Sequence, residues 1–180
     1  MRALLSPASA SPEAPELEVS EWLNTSSPLS LAALRGRVVL IEAFQMLCPG
    51  CVAHGLPQAQ RVERLLGDDV TVVGLHTVFE HHEAMTPTAL AAFLSEYRIT
   101  FPVGVDAPGE GPIPVTMRRY GLRGTPSLVL VDRSGRLRAS VFGAVDDLSL
   151  GAALARLIDE PAPPRDDRGA DDPSSPGRSS

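Results

Sequence analysis

Residues 42–51 read Glu42-Ala-Phe-Gln-Met-Leu-Cys48-Pro49-Gly50-Cys51, and this stretch decides the fold. It contains both cysteines of the 180-residue chain, separated by two residues. The apolar run at residues 38–41 is typical of a buried strand, and a segment with helical spacing follows the cysteines as far as Leu66. A Cys-x-x-Cys at a strand-to-helix turn places the first thiol over free N–H groups, where a thiolate is stabilised. The pattern favours dithiol–disulfide exchange, with no cofactor beyond the cysteine pair itself.

Composition and charge limit the classes of function. The net charge is −6, and no basic stripe is present, which argues against a nucleic-acid partner. No apolar run approaches the roughly 20 residues that cross a bilayer, so no membrane partner is expected. Residues 1–5 begin with a positive charge but lack the apolar core of about 7–15 residues that a signal peptide needs, which predicts a cytoplasmic location. There, a cysteine pair is catalytic or metal-binding more often than structural.

The order of the predicted elements indicates one α/β domain over residues 21–160. An extended or mobile arm is expected over residues 1–20, and a disordered Pro- and Ser-rich tail over residues 161–180. Strands are predicted at 38–44, 70–75, 101–106, 127–132 and 137–142, and helical segments at 29–36, 51–66, 86–97, 115–120 and 147–158.

Two prolines and a turn refine this scheme. Pro102 cannot donate to a strand ladder, which places the strand at 101–106 on an edge of the sheet. Pro57 lies inside the first long helix and predicts a kink or break near residues 53–56. The turn at 133–136 indicates a hairpin, which adds antiparallel strands to two βα units. The result is a mixed central sheet with helices on both faces.

Two motifs carry a resemblance to a known family. The Cys48-Pro49-Gly50-Cys51 motif after a buried strand, followed by Gly124-Thr125-Pro126-Ser127 before the hairpin, resembles the thioredoxin superfamily. The lead-in at 22–24, the run at 34–40 and the insertion before residue 101 resemble its TlpA-like, redoxin-domain branch. The resemblance covers about residues 20–159. It implies a thioredoxin-like three-layer fold and a thiol–disulfide oxidoreductase.

The resemblance also implies roles for individual residues. Cys48 would be the exposed nucleophile, and Cys51 would resolve the mixed disulfide from inside the helix. The peptide bond between Thr125 and Pro126 would be cis and would lie beside the cysteines. Together with the Pro49-Gly50 pair, these two residues would contact the substrate chain.

Glu42 lies six residues before Cys48, at the position of the buried acid that relays a proton to the resolving thiol in thioredoxins. An acid on an otherwise apolar strand has its pKa raised by desolvation and can act as a base. The alternatives for Glu42 are a partly exposed acid at the strand end and an ion pair with an arginine.

The expected partner is a protein or low-molecular-weight thiol or disulfide, with a dithiol protein or glutathione as electron donor. One rival reading is a peroxiredoxin-like thiol peroxidase, although Gln45 stands where that branch has a threonine three residues before its reactive cysteine. The other rival is a copper or zinc carrier that uses Cys48, Cys51 and His54. Leu47 replaces the tryptophan that usually precedes the first cysteine of thioredoxins, and the direction of exchange does not follow from the motif.

Three further histidines follow the second predicted strand. His76, His81 and His82 fall in a polar segment at the strand's carboxyl end, the side where sites of α/β sheets tend to lie. With the nearby glutamates they could bind a metal ion. The sequence favours a solvated loop over a metal site here.

Overall fold

The structure is a computed structural model that describes residues 4–161. Its six strands form one sheet with the order β1-β4-β3-β2-β5-β6. The strands are β1 (Val19–Leu23), β2 (Val38–Phe44), β3 (Val70–His76), β4 (Val103–Asp106), β5 (Ser127–Val131) and β6 (Leu137–Phe142). β2 pairs with β3 in parallel and with β5 in antiparallel register, which is the mixed sheet that the sequence predicts.

The helices are α1 (Leu56–Leu66), α2 (Pro87–Glu96), α3 (Val115–Arg119) and α4 (Asp147–Asp159). Every residue of β2 is buried, because both faces of this central strand are covered. Alternate residues of β2 meet helices α1, α2 and α4 on one face, through side chains that include Val38, Leu40, Leu56, Leu90 and Leu154. The opposite face packs against the N-terminal segment and the residue that follows α3, through side chains that include Val39, Ile41, Ala14, Leu31 and Tyr120. The predicted α/β layers are confirmed.

The strand expected at an edge lies inside the sheet. β4 pairs in parallel with β3 and in antiparallel register with β1, so the edge position belongs to β1. Pro102 precedes the strand, which begins at Val103, and its missing N–H removes no ladder hydrogen bond. The edge prediction was wrong because β1, whose residues are mostly exposed or half-exposed, lacks the apolar signal of a buried strand.

The N-terminal arm, expected to be extended or mobile, is mostly extended over its described residues, with one 3-10 turn (Ala8–Ala10), and is hydrogen-bonded to the hairpin. Ser6 N–H donates to the carbonyl of Arg138 at 2.8 Å, and Ala14 N–H donates to the carbonyl of Gly135 at 2.9 Å. A segment without hydrophobic periodicity is thus held by its backbone groups, which the sequence pattern does not report. The predicted disordered tail lies outside the described residues except for Pro161. In the part of the chain that is described, no helix has the length and apolar character needed to cross a bilayer.

Candidate active site

The dithiol lies at the turn that leaves the carboxyl end of β2. Cys48 is half-exposed, and the helical backbone begins at the exposed Pro49, whose fixed φ suits the first helical position. The N–H of Cys51 donates to Sγ of Cys48 at 3.2 Å, so this sulfur takes the place of a helix N-cap. Cys51 itself is fully buried. Burial, and after it a hydrogen bond with the Cys48 side chain, raises the pKa of its thiol from 9.0 to about 12. One thiol is therefore accessible and the other is held protonated behind it.

A π-helical turn (Cys51–Gly55) connects the cysteines to α1. Pro57 is the second residue of α1 and has no N–H to donate to Ala53, with whose carbonyl its ring would also clash in a regular helix. The wider turn relieves that clash. The kink or break predicted near residues 53–56 takes the form of this π-helical turn, through which the helical backbone continues to Leu66.

The hairpin entry meets the dithiol from the other side. The peptide bond between Thr125 and Pro126 is cis, as the resemblance implies. The thiol of Cys48 donates to the carbonyl of Thr125 at 3.5 Å. A Cβ built on Gly50 would lie 3.1 Å from Cδ of Pro126, closer than almost all real contacts of that kind. The small residue between the cysteines thus lets the proline pack beside them, and four of the predicted site residues come together.

Glu42 lies on β2, on the face that α1 covers, and only 2% of its surface is exposed. Burial, and after it the charge of Cys48, raises the pKa of its carboxyl group well above the usual value. Its Oε1 atom has no hydrogen-bond partner in the part of the chain that the structure describes. The two alternatives of an exposed acid and an arginine ion pair are wrong, since Glu42 is buried and Oε1 is unpaired.

Gly55 is a site residue that the sequence analysis missed. It is the last residue of the π-helical turn, and a Cβ at this position would overlap Oε1 of Glu42 and come within 3.2 Å of Cβ of Pro126. A glycine inside a helical segment is costly, and it indicates close approach of another group. That signal was available in the sequence, but not the identity of the approaching group.

A cavity of about 200 Å³ opens beside Glu42 and is walled by Gly55 and Pro126. Three polar side chains stand at this cavity and bond to one another. Gln58 Nε2 donates to Asp147 Oδ1 at 2.6 Å, and Arg61 lies 3.1 Å from the same oxygen. The cavity has room for several water molecules, so water could enter it beside the buried carboxyl group.

The family model for AhpC/TSA proteins matches residues 11–140, which include both cysteines, Glu42 and the cis proline. The chain belongs to the AhpC/TSA family. A crystal structure of a thioredoxin-like superfamily protein is 61% identical, with a TM-score of 0.83, and the match covers 84% of this chain and 99% of that one. A thiol-disulfide isomerase from Corynebacterium glutamicum is 53% identical, with a TM-score of 0.81, over 85% of this chain and 99% of that one. The thioredoxin-like fold is thereby confirmed.

One curated relative is a much longer protein than this chain. Protein DipZ of Mycobacterium bovis is 28% identical over an alignment of 154 residues, and the match covers 83% of this AhpC/TSA chain and 21% of DipZ. The chain thus spans about a fifth of the length of that relative. The shared region contains the dithiol and its cis proline.

The four histidines of this AhpC/TSA protein differ in position, and His54 lines the cavity beside Glu42. His54 is exposed on the π-helical turn, and His81 and His82 are exposed in the loop after β3. His76 was expected in the same solvated loop, but it is the last residue of β3 and is buried, because the strand runs one residue further than predicted. Within residues 4–161, no three His, Cys, Asp or Glu side chains are grouped so that they could hold a metal ion.

The close approach at residue 55 makes a first prediction for this AhpC/TSA protein. Gly55→Ala is expected to destabilise the fold by about 1–3 kcal/mol, because the methyl group must displace the Glu42 carboxyl group or the proline ring. The matched control is Gly151→Ala in α4, where a Cβ meets no atom within 4 Å and alanine should instead stabilise the helix by up to about 1 kcal/mol. Urea unfolding of both variants measures the difference. Equal effects would contradict the proposed contact.

Proposed function

We propose that this chain is a thiol–disulfide oxidoreductase whose reacting groups are Cys48 and Cys51. The proposal rests on the different environments of the two thiols. One is half-exposed and accepts a backbone N–H at a helix start, and the other is fully buried three residues further on. A helix N-terminus and a backbone donor favour negative charge on the first sulfur, and the thiolate is the species that attacks disulfides. The 53% identity to a thiol-disulfide isomerase supports the same activity.

The reaction proceeds in two exchanges. The Cys48 thiolate attacks one sulfur of a partner disulfide, which forms a mixed disulfide and releases the partner's other sulfur as a thiolate. Cys51 then loses its proton and attacks Sγ of Cys48, which forms the internal disulfide and releases the partner's second thiolate. The partner disulfide gains two electrons and the protein dithiol loses them. Each step is reversible, so the same groups can oxidise a partner dithiol.

Glu42 supplies the base for the second exchange in this proposal. The pKa of Cys51 is about 12, so few thiols ionise at neutral pH without a proton acceptor nearby. Glu42 is buried on the adjoining strand, feels the charge of Cys48, and borders a cavity large enough for water. A proton can therefore pass from the Cys51 thiol to the carboxylate through a water molecule and reach solvent through the cavity.

The substrate contacts follow from the surface around Cys48. Pro49 and Gly50 on the helix side and Thr125 and Pro126 on the hairpin side frame the attacking sulfur. Leu47 is 58% exposed beside it and offers an apolar contact to a polypeptide partner. In the cytoplasmic location that the sequence predicts, glutathione or a dithiol protein would re-reduce the pair.

A redox titration of the full chain tests this function. We expect the two thiols to convert to one internal disulfide in a single two-electron transition as the ratio of oxidised to reduced glutathione rises. Alkylation of the free thiols at each ratio, and then measurement of the intact mass, quantifies the conversion. Cys51→Ser should show no such transition and should form only a mixed disulfide with glutathione. If the wild-type pair never forms an internal disulfide at any ratio, the proposal fails.

The peroxidase alternative is distinguished from disulfide exchange by the rate at which the same protein reacts with hydrogen peroxide. Gln45 is buried and its Oε1 atom accepts the N–H of Phe79 at 3.3 Å, so the place of the expected threonine is occupied by a residue that holds the neighbouring loop. We expect disulfide exchange to be faster than sulfenic acid formation at Cys48 with hydrogen peroxide. The reverse order of rates would favour the peroxidase.

A further inference from the structure

A second cavity lies at the carboxyl ends of β3 and β4 and is separate from the one beside Glu42. It measures about 340 Å³, which is within the size range of small-molecule sites. Its polar floor contains His76 and Asp106, the last residues of the two strands. Its walls are mainly apolar and include Val78, Met85, Val105, Pro108, Pro112 and Pro114. Crevices outside the carboxyl ends of strands are where α/β proteins bind ligands.

His76 is the group of this cavity that lacks a partner. Only 1% of its surface is exposed, and its Nε2 atom makes no hydrogen bond with any residue from 4 to 161. Desolvation lowers the pKa of the imidazole from 6.5 to about 4, so the ring is uncharged near neutral pH and can donate or accept one hydrogen bond at each nitrogen. A buried polar group without a partner is costly, and a bound molecule that donates to it or accepts from it would remove that cost.

The other polar side chains of the cavity are already occupied. The Asp106 carboxylate accepts the N–H of Thr116 at 2.8 Å and the N–H of Met117 at 2.9 Å. Ser20 donates to the carbonyl of Val105, and Thr86 caps α2 by accepting the N–H of Ala89. The exposed His82 stands at the rim. A ligand on the floor therefore meets one free hydrogen-bonding group.

We propose that this cavity binds an uncharged aromatic group that carries one hydroxyl, of the phenol class, with the hydroxyl hydrogen-bonded to His76. None of the lining residues is a buried cation that could balance an anionic ligand group, and the Asp106 carboxylate already accepts two backbone N–H groups. The thioether of Met85 suits an aromatic ring, and the His76 ring already packs against Phe44 at a centroid distance of 5.3 Å. The proposal is independent of the oxidoreductase function.

The phenol group has two sources, a free small molecule or a tyrosine side chain of a partner polypeptide. The loop that walls the cavity is tied to the dithiol turn, since Phe79 N–H donates to the Gln45 side chain and Cys48 N–H donates to the Gln45 carbonyl at 3.2 Å. A partner that docks at Cys48 is therefore close to this cavity. N-acetyltyrosinamide tests the second source, and phenol tests both.

The experiment compares phenol with toluene, in which a methyl group replaces the hydroxyl. Each compound is titrated into the full reduced chain, and NMR records the shifts of the amide and imidazole nitrogen signals of the protein. We expect saturable shifts around His76, with phenol binding about tenfold more tightly than toluene, the equivalent of one hydrogen bond. Binding of N-acetyltyrosinamide as well assigns the polypeptide source, whereas its failure beside phenol binding assigns a free small molecule.

Two variants and a control make the outcome decisive. His76→Phe should remove the preference for phenol and leave toluene binding in place, and Val78→Phe should fill the cavity and weaken both by tenfold or more. If the first variant does not fold, the second and the wild-type imidazole shifts still test the site. Leu148→Ser, on an exposed residue of α4, serves as the control and should change neither affinity. Equal affinity of the wild type for phenol and toluene, or no saturable shift with either, would overturn the proposal.

Discussion

Replacing Cys48 by serine is expected to reduce the rate of thiol–disulfide exchange to that of the uncatalysed reaction, a loss of about 10³-fold or more. The hydroxyl group that remains does not ionise near neutral pH and does not attack disulfides. The fold should survive, because Cys48 is half-exposed and a serine oxygen can still accept the Cys51 N–H as a helix cap. The rate of reduction of a fluorescent disulfide-linked glutathione dimer measures the effect.

Cys51→Ser is the matched comparison, since it changes the same atom at the buried position. We expect it to retain the first attack and to stop at the mixed disulfide, which intact mass spectrometry detects as a stable adduct. The two variants should thus fail at different steps although both lack one sulfur. If Cys48→Ser continues to exchange through Cys51, the assignment of the nucleophile is wrong. The complete burial of Cys51 makes that outcome inconsistent with this structure.

The parts of the fold that the sequence predicts are those with local causes. An apolar β-branched run specifies β2, Pro57 accounts for the π-helical turn after the cysteines, and the Ser134-Gly135 turn, with φ of +75° at the glycine, specifies the hairpin. Thr86 caps α2 as its position before Pro87 indicates, by accepting the N–H of Ala89. Each of these signals acts within a few residues of the chain.

The parts that escaped prediction depend on contacts between distant residues. β1 is recognised as a strand only through its pairing with β4, in which Leu23 faces Val103 across 80 positions of sequence. The same pairing moves β4 from the edge to the interior of the sheet. Whether a half-polar segment becomes a strand depends on an available neighbour, and the periodicity of the segment alone does not contain that information.

The candidate site shows the same division. Cys48, Cys51 and Glu42 could be proposed from the sequence because each residue type is chemically distinctive at its place on the strand or helix. Gly55 was missed because its role is to leave space for the Glu42 carboxyl group, a role that only three-dimensional proximity reveals. The cavity at His76 escaped for a related reason, since the sequence placed this histidine in a solvated loop and its burial follows from the packing of loops around the strand end.

Glu42→Gln is expected to slow exchange and to stabilise the protein at the same time. The amide keeps the shape of the side chain but cannot accept the Cys51 proton, so the release step should slow by about a hundredfold near neutral pH, the lower end for a lost general base. The stability gain should be about 2 kcal/mol at pH 8, because folding of the wild type moves this carboxyl group from bulk water to a buried site where Oε1 has no hydrogen-bond partner among the described residues. Glu96→Gln, at the exposed end of α2, is the control and should change neither quantity.

The dependence of this gain on pH follows from the direction of the Glu42 pKa shift. The folded-state pKa lies above the unfolded value of 4.5, so the folded protein holds the proton more tightly. The resulting stabilisation of the wild type is complete below about pH 4.5 and is lost as the pH rises through the folded-state pKa. Because glutamine does not titrate, the advantage of Glu42→Gln should be small at pH 4 and should grow towards pH 8, which urea unfolding at both values measures. A difference that stays constant with pH would mean that Glu42 is not a buried titrating acid, and unchanged exchange rates would remove its role as the proton relay.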